Sequence, residues 1–217
     1  MNRWLTSTVE AYKQYFGVKE SPIIYDVGSR DGRDCEELAM RISNGSILWE
    51  NLVMVEANPP QQQVIKQNYP QATLIPYAIS DRAGEVDFLQ IKGNINMVGS
   101  STMNTARNDK WIKETNTIKV QAKRLDTVIE SLGHQNTEID IIKIDVEGYS
   151  WETLESLGKY LRNVRVFHIE TEIPSYARNK TTHDITIFMQ EQGFKCVAND
   201  SEWAPEIIDL VWVRESV

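Results

Sequence analysis

Two rhythms of apolar residues alternate along this chain. Short, nearly unbroken apolar runs stand at IIYDVGS (23–29), NLVMVEAN (51–58), ATLIPYAIS (72–80), EIDIIKIDVEG (138–148) and NVRVFHIETE (163–172). Runs of that length, bounded by glycine or polar residues, predict buried strands. Between them lie segments with helical spacing: DCEELAMRIS (34–43), QQQVIKQNY (61–69) entered through Pro59-Pro60, RLDTVIESL (124–132), SWETLESLGKYL (150–161) and HDITIFMQEQG (183–193). Proline suits a first helical turn, and Asp34 and Glu36 suit the positive end of the helix at 34–43. Near the start, Trp4, Leu5, Val9, Tyr12 and Phe16 fall close to one helical face and predict an amphipathic leading helix.

Strand alternating with helix implies a parallel sheet with helices on both faces. Two further strand-like stretches, GEVDFLQI (84–91) and NTIKVQAKRL (116–125), flank a polar, glycine-spotted segment at 92–118 that reads as a functional loop or lid. The ending, FKCVAN (194–199) and IIDLVWVRE (207–215), has only a loop between its strands, which favours an antiparallel pair. The expected architecture is an α/β fold with a seven-stranded, mainly parallel sheet and an antiparallel last strand. Residues 1–20 form a helix packed on the domain, and 21–217 form that single domain.

Composition narrows the picture little. The 217 residues, 41% hydrophobic and 25% charged, are ordinary for a globular protein of one domain. A net charge of −8 argues against non-specific grip on nucleic acid. No window reaches the roughly 18 apolar residues of a membrane span, and the start does not read as a secretory signal. The two cysteines, Cys35 and Cys196, are too few for a disulfide framework and read as small buried side chains. A cytoplasmic protein without a membrane partner is the expectation.

The strand ends carry the chemistry, because open α/β sheets collect ligands beyond the carboxyl ends of their strands. After the first strand stand Asp26, Gly28 and Gly32; after the second, Glu56 and Asn58; after the third, Ser80 and Asp81. The fourth delivers Asp145 and Glu147, and the fifth Glu170 and Glu172. Gly28 lets the backbone turn and lets a ligand approach. Glu56 sits where an acid accepts both hydroxyls of a ribose. The loop DVGSRDG is not GxGxxG, and Asp31 would face a pyrophosphate with the wrong sign. An adenosine cofactor without phosphates fits better, and S-adenosylmethionine (SAM) is the common one. Each residue taken singly also has a plain reading, the glycines as turn formers and Glu56 as a solvated carboxylate.

In order, YDVGSRDG, MVEANP, AISDRAGEVDF, RLDTVI, DIIKIDVEGYSWETLESL and VFHIETE resemble the FkbM-family SAM-dependent methyltransferases, from Ile23 to Val213. IKIDVEG with the helix behind it is the most specific element. The resemblance implies the class I methyltransferase (Rossmann-like) fold and O-methylation of a hydroxyl on a sugar or other small molecule. The first loop departs from the family, with Ser29-Arg30 where an alanine-asparagine pair is usual. Carried over by position, the resemblance implies that Asp26, Gly28, Ser29 and Gly32 surround the methionine end of the cofactor. It likewise implies that Glu56 takes the ribose with Asn58 in support, that Ile79, Ser80 and Asp81 border the adenine, and that Asp145 lies near the methionine amino group and the transferred methyl.

A hydroxyl becomes a competent nucleophile as its proton is accepted. Candidate acceptors are Asp145, Glu147, Glu170 and His168. Glu147 also reads as a first-turn helix acid and His168 as a hydrogen-bonded core histidine, whereas Glu170 lies nearer the rim. Asp145 and Glu170, on neighbouring strand ends, also suit a Mg²⁺-like ion, but a metal-free base is the expectation and no metal ligand is assigned. Lys143 reads as the partner of an acid beneath the site. In the 92–118 segment, Ser100, Ser101 and Thr102 offer hydrogen bonds. Met97, Met103 and Trp111 offer cover, and Arg107, Lys110 and Lys113 suit an anionic acceptor. Trp203 is another candidate wall. The expected partner is a small-molecule or carbohydrate acceptor. The alternatives are a catalytically silent SAM-binding domain and an NAD-dependent oxidoreductase, which the loop disfavours.

Overall fold

Helix α1 (Trp4–Phe16) buries Leu5, Val9 and Tyr12 on one side, as its spacing predicts. The computed structural model describes residues 4–92, 101–103, 114–172, 180–204 and 207–215. Strand β1 (Ile24–Val27) follows, then α2 (Arg33–Ser43), whose turns bury Cys35, Leu38, Ala39 and Ile42. Asn44, at φ 53°, ends α2 in a left-handed turn that asparagine tolerates. Next come β2 (Leu52–Val55), α3 (Pro59–Asn68) and β3 (Thr73–Ile75).

The expected third strand is broken in two. Pro76 brings no backbone N–H to a ladder, and beyond it β4 (Ala78–Ile79) leaves the main sheet. It pairs with β6 (Glu114–Lys123), which pairs antiparallel with β5 (Gly84–Lys92). These three strands form a second sheet, in the order β4-β6-β5. Lys92 and residues 114–118 of the expected 92–118 loop are thus strand. Leu89 and Thr102 exchange both backbone hydrogen bonds, at 2.7 and 3.0 Å, so part of that loop lies along β5.

The chain then returns to the main sheet through α4 (Leu125–Ser131), β7 (Ile139–Ile144) and α5 (Ser150–Leu157). A 3₁₀ turn at Gly158–Asn163 replaces the last turn of the longer helix expected there. Strand β8 (Val164–Glu172) precedes α6 (Thr182–Glu191), which opens with a capping box from Thr181 and Asp184. The chain closes with β9 (Phe194–Ala204) and β10 (Ile207–Arg214).

The seven-stranded sheet runs β3-β2-β1-β7-β8-β10-β9. β10 alone runs against its neighbours, and the rest are parallel. Helices α4, α5 and α6 cover one face and α1, α2 and α3 the other, each over its own apolar cluster. A third cluster, with Phe88, Met103, Val120 and Tyr149, lies under the small sheet. Strands β1 and β7 are buried along their whole length, so the carboxyl ends of the central strands meet in one place. Both cysteines are free thiols, and none of the described helices is long and apolar enough to cross a membrane.

Candidate active site

Gly28 stands where β1 gives way to its loop, with φ 86°. A Cβ there would lie 1.8 Å from the Asp145 carbonyl oxygen, so only glycine lets the ends of β1 and β7 come so close. The missing side chain makes room for the protein's own backbone. Gly32, at φ 83°, starts α2 and packs on Tyr69 and Met54.

Glu56 follows β2 and is 7% exposed. One carboxylate oxygen accepts the Arg30 amide at 2.7 Å, and the other accepts the Asn58 amide at 2.6 Å. Burial outweighs these hydrogen bonds and raises its pKa from 4.5 to about 7. A carboxyl so raised is neutral in the fold while already ionised in the unfolded chain. Stability therefore falls as pH rises between about 5 and 7, with the whole cost, about 3 kcal/mol, present above that window. Urea titrations of the ligand-free protein at pH 5 and pH 8 are expected to show this loss. Glu56→Gln is expected to flatten the slope, and an equal slope in both proteins would contradict the assignment.

Beneath the rim, Lys143 is 3% exposed and faces three carboxylates. Its Nζ lies 2.9 Å from Asp145, 3.4 Å from Asp34 and 3.6 Å from Asp26. Burial alone would lower the lysine pKa, but Asp145, Asp26 and Asp34 together raise it well above the ordinary value. For Asp145, burial pushes upward and is outweighed by Lys143 and a hydrogen bond with Glu170, so its pKa is lowered. Asp26 goes the other way: burial, with Asp34 added, outweighs Lys143 and raises it. Ser29 donates to Asp26 at 2.8 Å.

Asp145, Glu147 and Glu170 gather at the ends of β7 and β8, with one oxygen of each within 4.8 Å of the others. Asp145 keeps about a third (35%) of its side-chain surface exposed. Beside it opens a cavity of about 500 Å³, mouth included, within the usual range for small-ligand pockets. Gly28, Arg30, Glu56, Gln61, Ile79 and Asp145 line it, with Tyr77, Phe88, Ser101 and Met103 from the small-sheet side.

Of the residues expected at the cofactor, the cavity wall thus contains Gly28, Glu56, Ile79 and Asp145. Asp26 and Ser29 lie beneath the loop, and Asn58 is buried behind Glu56. Ser80 donates to Asp81 at 2.9 Å, and the Asp81 carbonyl accepts Arg124, with neither residue in the wall. Of the two readings of His168, base and core histidine, the geometry favours the second. The histidine sits 1% exposed, its Nδ1 2.7 Å from the Thr8 hydroxyl and its Nε2 3.2 Å from Asp209, so both ring nitrogens are committed to the core. Met97, Ser100, Arg107, Lys110, Trp111 and Lys113 lie outside the described residues, as do the side chains of Glu172 and Trp203.

Sequence reasoning missed Gln61, Tyr77 and Phe88. Gln61 had a readable signal, since the first turn of a helix after a strand end belongs to the same rim. Its side chain is buried in the cavity wall, and among the described residues its Oε1 has no hydrogen-bond partner. A ligand hydroxyl or amine would supply the missing donor.

Residues 26–196 match the Methyltransferase FkbM domain. The chain belongs to the FkbM methyltransferase family. It is a SAM-dependent methyltransferase, and its fold is the class I methyltransferase fold. Among solved structures, this methyltransferase resembles magnesium protoporphyrin IX methyltransferase from Synechocystis with bound SAM, at TM-score 0.52 and 12% identity. That similarity covers 97% of this chain and 78% of the other. Among curated relatives, 2-O-methyltransferase NoeI of Sinorhizobium fredii is 24% identical over 177 residues, 76% of this chain and 70% of that protein. Methyltransferase sdnD of Sordaria araneosa is 30% identical over 104 residues, 45% of this chain and 39% of its own length. The orphaned Gln61 oxygen and the acids at the strand ends fit a cofactor that brings hydroxyls, an amine and a sulfonium charge.

Proposed function

We propose that this methyltransferase methylates a hydroxyl of a small molecule, with carbohydrates the first class to test. The observation that carries the reading is the group of three carboxylates, Asp145, Glu147 and Glu170, of which Asp145 lines the cavity. Similarity to a protein named as a 2-O-methyltransferase supports it.

In this reading SAM, when bound, supplies the electrophilic methyl and a sulfonium leaving group. Glu56 accepts the ribose hydroxyls, with Asn58 holding its carboxylate from behind. Gln61, Tyr77, Phe88 and Ile79 enclose the base. Gly28 and Asp145 flank the methionine end, where Asp26 and Lys143 set the charge beneath the loop. Asp145, kept ionised by Lys143, orients the acceptor hydroxyl, and its pair with Glu170 takes up the proton as the new C–O bond forms. Glu147 adds a third acceptor at the same point.

Calorimetry with SAM and NAD side by side tests the cofactor, and methyl-labelled SAM with a panel of hydroxylated acceptors tests the reaction. SAM should bind, NAD should not, and label should appear on oxygen. Label on nitrogen or carbon would overturn the acceptor class, and binding without transfer to any acceptor would point to the silent domain.

Glu56→Ala is expected to weaken SAM binding by about 1–3 kcal/mol, the scale of hydrogen bonds to a charged group. Because the ionised carboxylate is the better acceptor, SAM affinity of the wild type should rise with pH up to about 7 and then level off. Glu56→Ala should lose that pH dependence, and unchanged affinity would remove Glu56 from the ribose site.

A metal-free proton transfer implies that chelation leaves the rate unchanged. Assays with and without EDTA check this, and a collapse restored by Mg²⁺ would turn the three carboxylates into metal ligands.

A further inference from the structure

The tripeptide Ser101-Thr102-Met103 touches both halves of the site. Ser101 and Met103 line the cavity, and the Ser101 hydroxyl accepts the Asn58 side-chain Nδ2–H at 3.4 Å and the Ile91 backbone N–H at 3.0 Å. Asn58 is tied in turn to Glu56 through its backbone N–H and to Gln90 at 2.8 Å through its side-chain oxygen. One residue further on, Thr102 is 1% exposed, and its hydroxyl donates to the Glu147 carbonyl at 2.5 Å.

Glu147 holds a left-handed backbone, φ 51°, which a residue with a Cβ adopts at a cost. Such a conformation persists where neighbours fix it, and the Thr102 hydroxyl is placed to do so. Thr102 is itself held by the two backbone bonds to Leu89 on β5. The path from Glu56 through Asn58, Ser101 and Thr102 to Glu147 is contiguous and consists of hydrogen bonds and one peptide link.

We infer that Thr102 is a positioning residue, which transmits occupancy of the cofactor cavity to the Asp145–Gly148 turn through the Glu147 carbonyl. The inference rests on SAM occupying that cavity. The Thr102 hydroxyl already holds the Glu147 peptide, and a cofactor packed against Ser101 reinforces that hold and so keeps the Glu147 carboxylate beside Asp145 and Glu170.

Calorimetry and amide hydrogen exchange with and without SAM test this on wild type, Thr102→Val and Thr102→Ser. In the wild type, SAM should slow exchange in a peptide covering 145–149 by about fivefold, the factor one net hydrogen bond supplies. Thr102→Val should bind SAM with similar affinity and keep protection at 101–103 while losing it at 145–149. Thr102→Ser, which retains the hydroxyl, should restore it. A wild type that fails to bind SAM overturns the cofactor reading itself. SAM binding with no protection at 145–149, or equal protection in Thr102→Val, overturns the role of Thr102 alone. Should Thr102→Val be unfolded, Thr102→Ala and Thr102→Ser decide the matter by the same comparison, hydroxyl absent against hydroxyl present.

Discussion

Replacing Lys143 by methionine is expected to destabilise the fold by about 3–5 kcal/mol at pH 8, the usual cost of removing one partner of a buried ion pair. Methionine approximates the lysine stem but leaves Asp26, Asp34 and Asp145 facing one another without a cation. Asp26 is fully buried and Asp34 is 9% exposed, so water cannot replace the ammonium there. The loss should shrink toward pH 5. Buried carboxylates deprived of a counter-charge have raised pKa values, and their cost grows as pH rises past the unfolded value. Guanidinium unfolding at both pH values measures the effect. Adding Asp26→Asn to Lys143→Met should recover part of it, because it removes one of the stranded charges. A midpoint unchanged at pH 8 would mean that the three acids do not depend on Lys143.

Asp145→Asn is expected to lower methyl transfer by about 10²–10⁴-fold, the range of a lost acid–base group. Asparagine keeps the shape and can still accept from Lys143, and Lys143 retains Asp26 and Asp34 within 3.6 Å. The fold should therefore survive, which separates this variant from the previous one. SAM affinity should fall by about 1–3 kcal/mol, since one hydrogen bond to a charge is at stake. Calorimetry beside a labelled-methyl assay checks both halves. Activity within about twofold of wild type would remove Asp145 from the reaction and leave Glu147 and Glu170 as the acids to examine.

Several features of the site were legible before any coordinates. Glu56 and Asp145 stand directly after apolar runs whose ends must meet at one rim of a parallel sheet, and both line the cavity. Glu170 follows by the same logic one strand further on. The alternation in VFHIETE put His168 and Glu170 on one face. It did not say that α1 would cover the histidine with Thr8 while the glutamate reached Asp145. Period two reports which side chains share a side of a strand and is silent about what lies opposite. Pro76 stands inside a run that reads as one strand, and nothing local said that β4 would join a different sheet and bring Tyr77 to the cavity.

The amino-acid sequence by itself determined the alternation of buried strands and helices, and with it the sheet edge that carries the chemistry, because hydrophobic period and turn residues act over a few neighbours. Only the tertiary structure decided that Lys143 sits among three acids, that His168 is committed to the core, and that Thr102 reaches Glu147. Apart from Lys143–Asp145, those pairings join residues far apart in the chain. They depend on strand register and on which helix covers which face, and both are settled by packing of the whole domain.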